Sequence, residues 1–374
     1  MAGPKFRADH VGSLLRTNAV AQARAAHIEE GELHSGPELS ELENREIKEA
    51  VAMQEDVGLP AVTDGEFRRS FWHYDFLDGL SGFDMMYRPT TTGARFAGSM
   101  AIKPFHPTIT SRIGFPADHP MLEHFRYVAS VTSATPKISI PGPSACHFRT
   151  SAADIVPPEY ADVELLLGDI ARTYADAVAA FYAAGCRYLQ LDDIFFAYLC
   201  DENQREAKRA EGFDPDALIT AYADTLEAAI ADRPDDMTIA MHMCRGNFRS
   251  THAASGGYDP AVDAIFNRTS VDVYFMEYDT DRAGGLEPLR LLAAGNKRVM
   301  PGFITTKTPE LETLDDLKRR IDEASTYVSI DQLGIAPQCG FASTEEGNLL
   351  TADQQRAKLA LVVSAAEAIW GSVA

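Results

Sequence analysis

The amino-acid sequence reads as an α/β protein, a (β/α)8 TIM barrel carrying a β-hairpin insertion near residues 85–130. Three features point there. From Arg187 onward, short β-rich runs alternate with amphipathic helical stretches, and repeated strand-then-helix order means a parallel sheet. Three further short strands fit upstream, which brings the total to eight, with helices outside. No Gly/Ser-rich or Pro-rich linker, like-charge block or internal repeat divides the chain, so residues 1–374 are expected to form one domain.

The strands are expected at 6–11, 61–63, 137–140, 188–191, 238–241, 271–275, 298–300 and 332–335, each short. Between 214 and 234 the helix is well marked. Asp214-Pro215 supplies a cap and a first-turn proline, Leu218, Tyr222, Leu226 and Ala229 follow at helical spacing, and Arg233-Pro234 closes it. Other long helices are expected near 38–57, 160–184, 312–328 and 352–370. Residues 85–130 break the rhythm: Thr90-Thr91-Thr92-Gly93, Gly98 and the alternating run Thr108-Ile109-Thr110 suggest hairpin extensions packed over one barrel end.

With 45% hydrophobic and 24% charged residues, the composition is that of an ordinary globular protein. Thirty-four Lys plus Arg against 55 Asp plus Glu give a formal charge of −21, which repels a phosphate backbone and argues against nucleic acid as a partner. The start of the chain has no apolar signal-like run, and 359–374 is interrupted by Ser364, Glu367 and Gly371, so neither secretion nor a membrane span is expected. Five cysteines, an odd number sparsely spread, argue for reduced thiols and a cytoplasmic location.

Active sites of such barrels lie at the C-terminal strand ends, and these are rich in polar residues. Gly12-Ser13, Asp64-Gly65-Glu66, Gly142-Pro143-Ser144, Asp192-Asp193, His242-Met243-Cys244, Glu277, Lys307 and Cys339-Gly340 follow the eight strands in turn. His242 and Cys244 are two apart at a strand end, so they share a face, and Glu277 and Cys339 end the sixth and eighth strands. Two thiolates, an imidazole and a carboxylate form a ligand set for tetrahedral zinc. His-x-Cys alone is a weak signal, and a buried cysteine is usually a small hydrophobe. Glu277 in an otherwise apolar run strengthens the zinc reading, because a buried carboxylate needs a partner or a metal. Such a zinc suits one chemistry well: it lowers the pKa of a substrate thiol and holds the thiolate for attack on carbon.

As an ordered set, these motifs resemble the C-terminal catalytic barrel of cobalamin-independent methionine synthase, within the group that also holds uroporphyrinogen decarboxylase and zinc-dependent thiol alkyltransferases. The resemblance covers nearly the whole chain. It implies zinc on His242, Cys244, Glu277 and Cys339, and a homocysteine site in which Ser13, beside Gly12, meets the carboxylate while Glu66 and Asp192 hold the ammonium. Lys307 and Asp192 are the residues expected to act in catalysis. A plainer reading makes Glu66 the salt-bridge partner of Arg68 or Arg69, and Asp192 or Asp193 a helix cap.

Three departures from the family pattern bear on function. The family's two-barrel enzymes have an N-terminal half that helps hold the folate, for which this chain has no room, so the donor stays open between 5-methyltetrahydrofolate and a methylcorrinoid. Thr305-Thr306-Lys307-Thr308-Pro309 stands where the family carries Asp-x-His-Ser-Pro, leaving Lys307 as a proton donor or an anion-binding residue. No tryptophan matches the family's pterin-stacking one; Phe148 and Arg149 occupy that neighbourhood, and Trp72 is either a stacking platform or a core or dimer contact.

Cys146, Cys186 and Cys200, the last expected in a helix, receive no role, and His106, His119 and His124 are expected to be ordinary core or solvent residues. The same zinc set also suits an enzyme adding coenzyme M to an epoxide, or a non-catalytic zinc and thiol binder; a metal-free decarboxylase has no use for it. Exposed barrel helices suit a monomer or a homodimer, with the dimer favoured.

Overall fold

The structure, a computed structural model, describes residues 3, 5–29, 36–87 and 105–374. Its centre is a parallel sheet of six strands in chain order: Ile138–Pro141, Tyr188–Asp192, Thr238–Met243, Val273–Glu277, Arg298–Ile304 and Ala336–Pro337. At one edge Ala61–Val62 pairs in parallel with Thr135–Pro136, the segment leading into Ile138. At the other, Ala8 bridges Ile335 in parallel. The neighbours therefore follow chain order around a (β/α) barrel, with helices outside. Between the first and second segments no ladder forms among the described residues; Leu14 N–H donates to Gly65 O at 2.9 Å and Thr63 Oγ1 to Gly12 O at 2.6 Å.

The expected first strand, 6–11, contracts to the bridge at Ala8 because its polar residues bond elsewhere. His10 N–H is taken by Asp9 Oδ1 at 2.7 Å, a local bond that competes with a ladder. The same carboxylate pairs with Lys137 Nζ at 2.8 Å and accepts from Tyr188 Oη at 2.5 Å inside the barrel. The last expected strand is also displaced. Gln332 closes the turn Ile330–Gln332, Leu333 bridges Val299, and the ladder proper is Ala336–Pro337. The sixth begins and ends two residues later than expected, which brings Glu277 into the strand.

Val11, Ala61, Tyr188, Ala240, Val273, Phe275, Met300 and Ala336 fill the barrel interior, and the alternate residues face the helices. Pro37–Asp56, Val163–Ala183, Pro215–Ile230, Leu314–Ser325 and Ala352–Trp370 realise the expected helices. Asp214 caps the third, and Thr351 with Gln354 forms a capping box on the last. The helix expected from 160 starts at Val163, where Asp162 accepts from the N–H groups of Glu164 and Leu165.

The insertion is partly a hairpin. Ser81–Tyr87 pairs antiparallel with Phe105–Gly114, and the pair stays out of the barrel sheet. It packs beside the helix Val163–Ala183: Tyr160 Oη accepts from Ile113 N–H at 3.1 Å, and Arg112 pairs with Asp169 at 3.1 Å. Thr90-Thr91-Thr92-Gly93 and Gly98 lie outside the described residues. The end of the segment is not hairpin but the helix Pro120–Val131, capped by His119, whose Nδ1 accepts from Met121 N–H. Cys200 lies between two short helices rather than in one. All five cysteines are free, and no helix among the described residues is long and apolar enough to cross a membrane.

Candidate active site

His242 stands in register with Asp192 on one neighbouring strand and Phe275 on the other, so its side chain shares their inward face. Cys244 follows two residues on, just past the strand end, and Cys339 enters from the turn after Pro337. A ring nitrogen of His242 and the sulfurs of Cys244 and Cys339 lie within 4.8 Å of one another, and all three residues are buried. Neither His242 nitrogen has a nitrogen or oxygen partner. A hydrogen bond from Cys244, resisted by burial and reinforced by His242, holds the Cys339 thiol well below its usual pKa. Burial opposes protonation of His242, but the bond and charge of Cys339 outweigh it and raise its pKa. Two sulfurs, one of them disposed to ionise, and an imidazole without a nitrogen or oxygen partner at this spacing are the donor set that zinc takes.

The same pocket is lined by Ser13, Glu66 and Asp192, and walled by Phe71, Trp72 and Tyr198. Glu66 sits in a tight turn at φ 61°, a left-handed conformation rare for a residue with a Cβ. Arg16 fastens that turn, donating to Glu66 O at 2.8 Å and Arg69 O at 2.7 Å, and also to the carbonyls of Ala342 and Thr344. Glu66 Oε1 accepts from Ser139 Oγ at 3.0 Å and faces Arg69 at 3.7 Å, while Oε2 has no hydrogen-bond partner. Arg68 turns away to Glu43. Burial, eased by Arg69 but compounded by Asp192, pushes the Glu66 carboxyl up to about 7. Burial likewise pushes Asp192, which accepts from Gln190 Nε2 at 2.7 Å, up to about 6, opposed by His242.

Ser13 is set by the eighth strand end: Phe341 N–H donates to Ser13 O at 2.9 Å and Ala342 N–H to Ser13 Oγ at 3.3 Å. A Cβ on Gly340 would stand 1.9 Å from Ser13 Oγ. Gly340→Ala is therefore expected to push Ser13 out of place and destabilise the fold by about 1–3 kcal/mol, read as a lower Tm together with weaker thiol binding. Gly142 has a similar reason, since a Cβ there would lie 2.4 Å from the Asp193 side chain.

Residues 6–368 match the family model described as "Cobalamin-independent synthase, Catalytic domain". The chain belongs to this family. It is 46% identical over 373 residues to the "Uncharacterized protein YxjH" of Bacillus subtilis (strain 168), covering 98% of this chain and 95% of that protein. It is 27% identical over 339 residues to a 5-methyltetrahydropteroyltriglutamate–homocysteine methyltransferase of Bradyrhizobium diazoefficiens, covering 90% of this chain but 39% of the relative. Among solved structures, a candidate vitamin-B12 independent methionine synthase from Listeria monocytogenes superposes with TM-score 0.77 at 36% identity, covering both chains fully.

In this cobalamin-independent synthase barrel, not every expected residue comes together. Glu277 ends its strand beside the His–Cys–Cys group but lies outside it: Oε2 accepts from Arg245 N–H at 2.8 Å, and Oε1 pairs with Arg282 at 2.5 Å. Burial would raise its pKa, yet Lys307, Arg282 and Arg245 prevail and lower it. Lys307 is not a lining residue; its ammonium points at the loop after Met243. Asp193 is buried against Ser144, and neither Asp192 nor Asp193 caps the helix Phe195–Tyr198. Trp72 lies in the pocket wall, 6.1 Å from Phe195, and Phe148 stacks on Phe195 at 4.4 Å. Cys146 faces Tyr174 Oη instead of the pocket. Sequence reasoning missed Arg16, Tyr198, Asn247 and Thr344, which no local pattern marks.

Proposed function

We propose that the protein is a zinc-dependent S-methyltransferase that binds homocysteine, or a close amino thiol, and methylates its sulfur. One observation carries this reading: His242, Cys244 and Cys339 share a single pocket with two buried, incompletely neutralised carboxylates. His242, Cys244 and Cys339 would hold the zinc, with Glu277 as fourth ligand once its carboxylate leaves Arg282. When bound, zinc supplies a Lewis acid that keeps a substrate thiol deprotonated at neutral pH.

The chain's own residues then bind and aim the substrate. Glu66 and Asp192 neutralise an ammonium, and each has reason to, because burial leaves both carboxylates short of positive charge. Ser13 Oγ and the N–H groups beside Gly12 receive the carboxylate. Phe71, Trp72 and Tyr198 exclude water, so the sulfur is fixed for in-line attack on a methyl carbon. The donor we favour is 5-methyltetrahydrofolate, with a methylcorrinoid second; the named folate-dependent relatives support the first, although the chain spans about two fifths of the length of the Bradyrhizobium enzyme.

Addition of coenzyme M to an epoxide would use the same metal group but not an ammonium site, so the Glu66–Asp192 pair favours the amino thiol. The test is incubation of the protein with homocysteine and, in turn, 5-methyltetrahydrofolate, its triglutamate and methylcobalamin, with methionine read by mass spectrometry. Methionine formation is expected. Tight thiol binding without product from any donor would replace the reading with a non-catalytic thiol-binding barrel.

A further inference from the structure

After Gly246, at φ 91°, the chain leaving the strand Thr238–Met243 folds back on itself. Thr251 N–H donates to Phe248 O at 2.9 Å, and Phe248 N–H to Thr251 O at 3.4 Å. The two residues between, Arg249 at φ 45° and Ser250 at φ 65°, are both left-handed, where such turns ordinarily place glycine or asparagine. Backbone held in this region by residues with a Cβ persists only when its surroundings over-determine it.

Groups beyond the ends of the strands Arg298–Ile304 and Ala336–Pro337 do the holding. Ser250 Oγ bonds to Asn348 Oδ1, and Asn348 Nδ2 donates to Thr306 O at 2.7 Å and Phe341 O at 2.9 Å. Asn247 Nδ2 donates to Gly340 O at 2.8 Å. Lys307 Nζ lies 3.3 Å from Gly246 O, 3.4 Å from Thr251 O and 3.5 Å from Asn247 Oδ1. An ammonium has three N–H donors, and these three acceptors use them all.

The segment so held is a wall of the pocket. Gly246 and Asn247 line it, and Phe248 packs with Cys244 and Cys339. The space inside is tight, about 30 Å³, room for about two waters, so seating an amino thiol calls for the wall to give. This segment of the wall is strained, and groups from neighbouring strand ends hold it in place.

We infer that the turn 246–251 is the gate of the thiol pocket and that Lys307 is a positioning residue holding it shut, instead of a proton donor to the reaction. The inference rests on the reading of this pocket as a thiol site.

Methylthiolation of the metal-free protein by methyl methanethiosulfonate, in which a thiolate forms a methyl disulfide and releases methanesulfinate, tests it without any turnover when resolved by peptide mass spectrometry. Lys307→Ala and Asn348→Ala are expected to speed modification of Cys244 and Cys339 about tenfold, and Lys307→Arg to restore most of the protection. Cys146 and Cys186, buried elsewhere, serve as internal controls. Unchanged rates at Cys244 and Cys339, or rates rising in step with the controls, would overturn the gate. In turnover, Lys307→Ala is expected to lower KM for the thiol, because a larger share of the protein is open to it, and to leave the pH profile of kcat intact. A lost limb in that profile would make Lys307 an acid after all. Labelling remains readable if no methyl donor works, so failure of the methyltransferase reading and failure of the gate give different results.

Discussion

Replacing Cys339 by serine is expected to abolish zinc retention while leaving the barrel folded. Even loss of an outer partner to a metal ligand costs about 10–100-fold in affinity, so loss of a sulfur ligand should exceed a hundredfold. Cys244 and His242 both favour the Cys339 thiolate and hold its pKa down, and a serine there would not ionise. Metal per chain after dialysis against a weak chelator is the measurement, with Cys146→Ser as control, because that thiol faces Tyr174. A Cys339→Ser protein that keeps one zinc per chain would remove this residue from the ligand set. Zinc uptake should also release protons, since His242 and Cys244 are both biased towards their protonated forms without it.

Glu66→Gln is expected to weaken homocysteine binding by about ten- to a hundredfold, the range for losing one charge-assisted hydrogen bond in a buried site. Binding of 4-mercaptobutanoate, which has the thiol and carboxylate of homocysteine but no ammonium, should barely change. The wild-type pH dependence follows from the same group. Burial raises its carboxyl from 4.5 to about 7, so in the free protein it is increasingly protonated as pH falls through 7, and a neutral carboxyl gives an ammonium little to bind. Homocysteine affinity should therefore fall between pH 8 and pH 6, and this slope should flatten in Glu66→Gln. The sign for stability is opposite. An acid whose folded pKa is raised is a growing cost to the free fold as pH climbs from 4.5 through 7, because the unfolded chain releases that proton first. An ammonium bound between Glu66 and Asp192 offsets the cost, and calorimetric titration across this range reads both effects.

Much of this arrangement is legible before any coordinates. Two residues of spacing put His242 and Cys244 on one face, and the strand-helix rhythm brings Glu66, Asp192 and Cys339 to the same barrel end. Asp214-Pro215 and Thr351 with Gln354 mark helix starts through local bonds that a sequence can spell. The signal for Pro120–Val131 was also present, in His119-Pro120 followed by Leu122, Phe125 and Val128 at helical spacing, but the threonine-rich run before it pointed to strand. What spacing cannot give is competition between distant groups. Spacing puts Glu277 at the barrel mouth but does not reveal that Arg245, thirty-two residues earlier, and Arg282 bond its oxygens. Nor does spacing show that the Lys307 ammonium lies against three oxygens of another loop. Asp9 likewise looks like part of a strand until Lys137 and Tyr188 claim its carboxylate. The left-handed turn at Glu66 has no sequence mark; Arg16 makes it tenable from fifty residues away.

X-ray absorption at the zinc edge, recorded with and without homocysteine, probes the metal and the thiol together. One zinc per chain is expected, with two sulfur neighbours that become three when homocysteine is added. A chain that takes up no zinc, or a zinc shell that the thiol leaves unchanged, would contradict thiol activation at His242, Cys244 and Cys339.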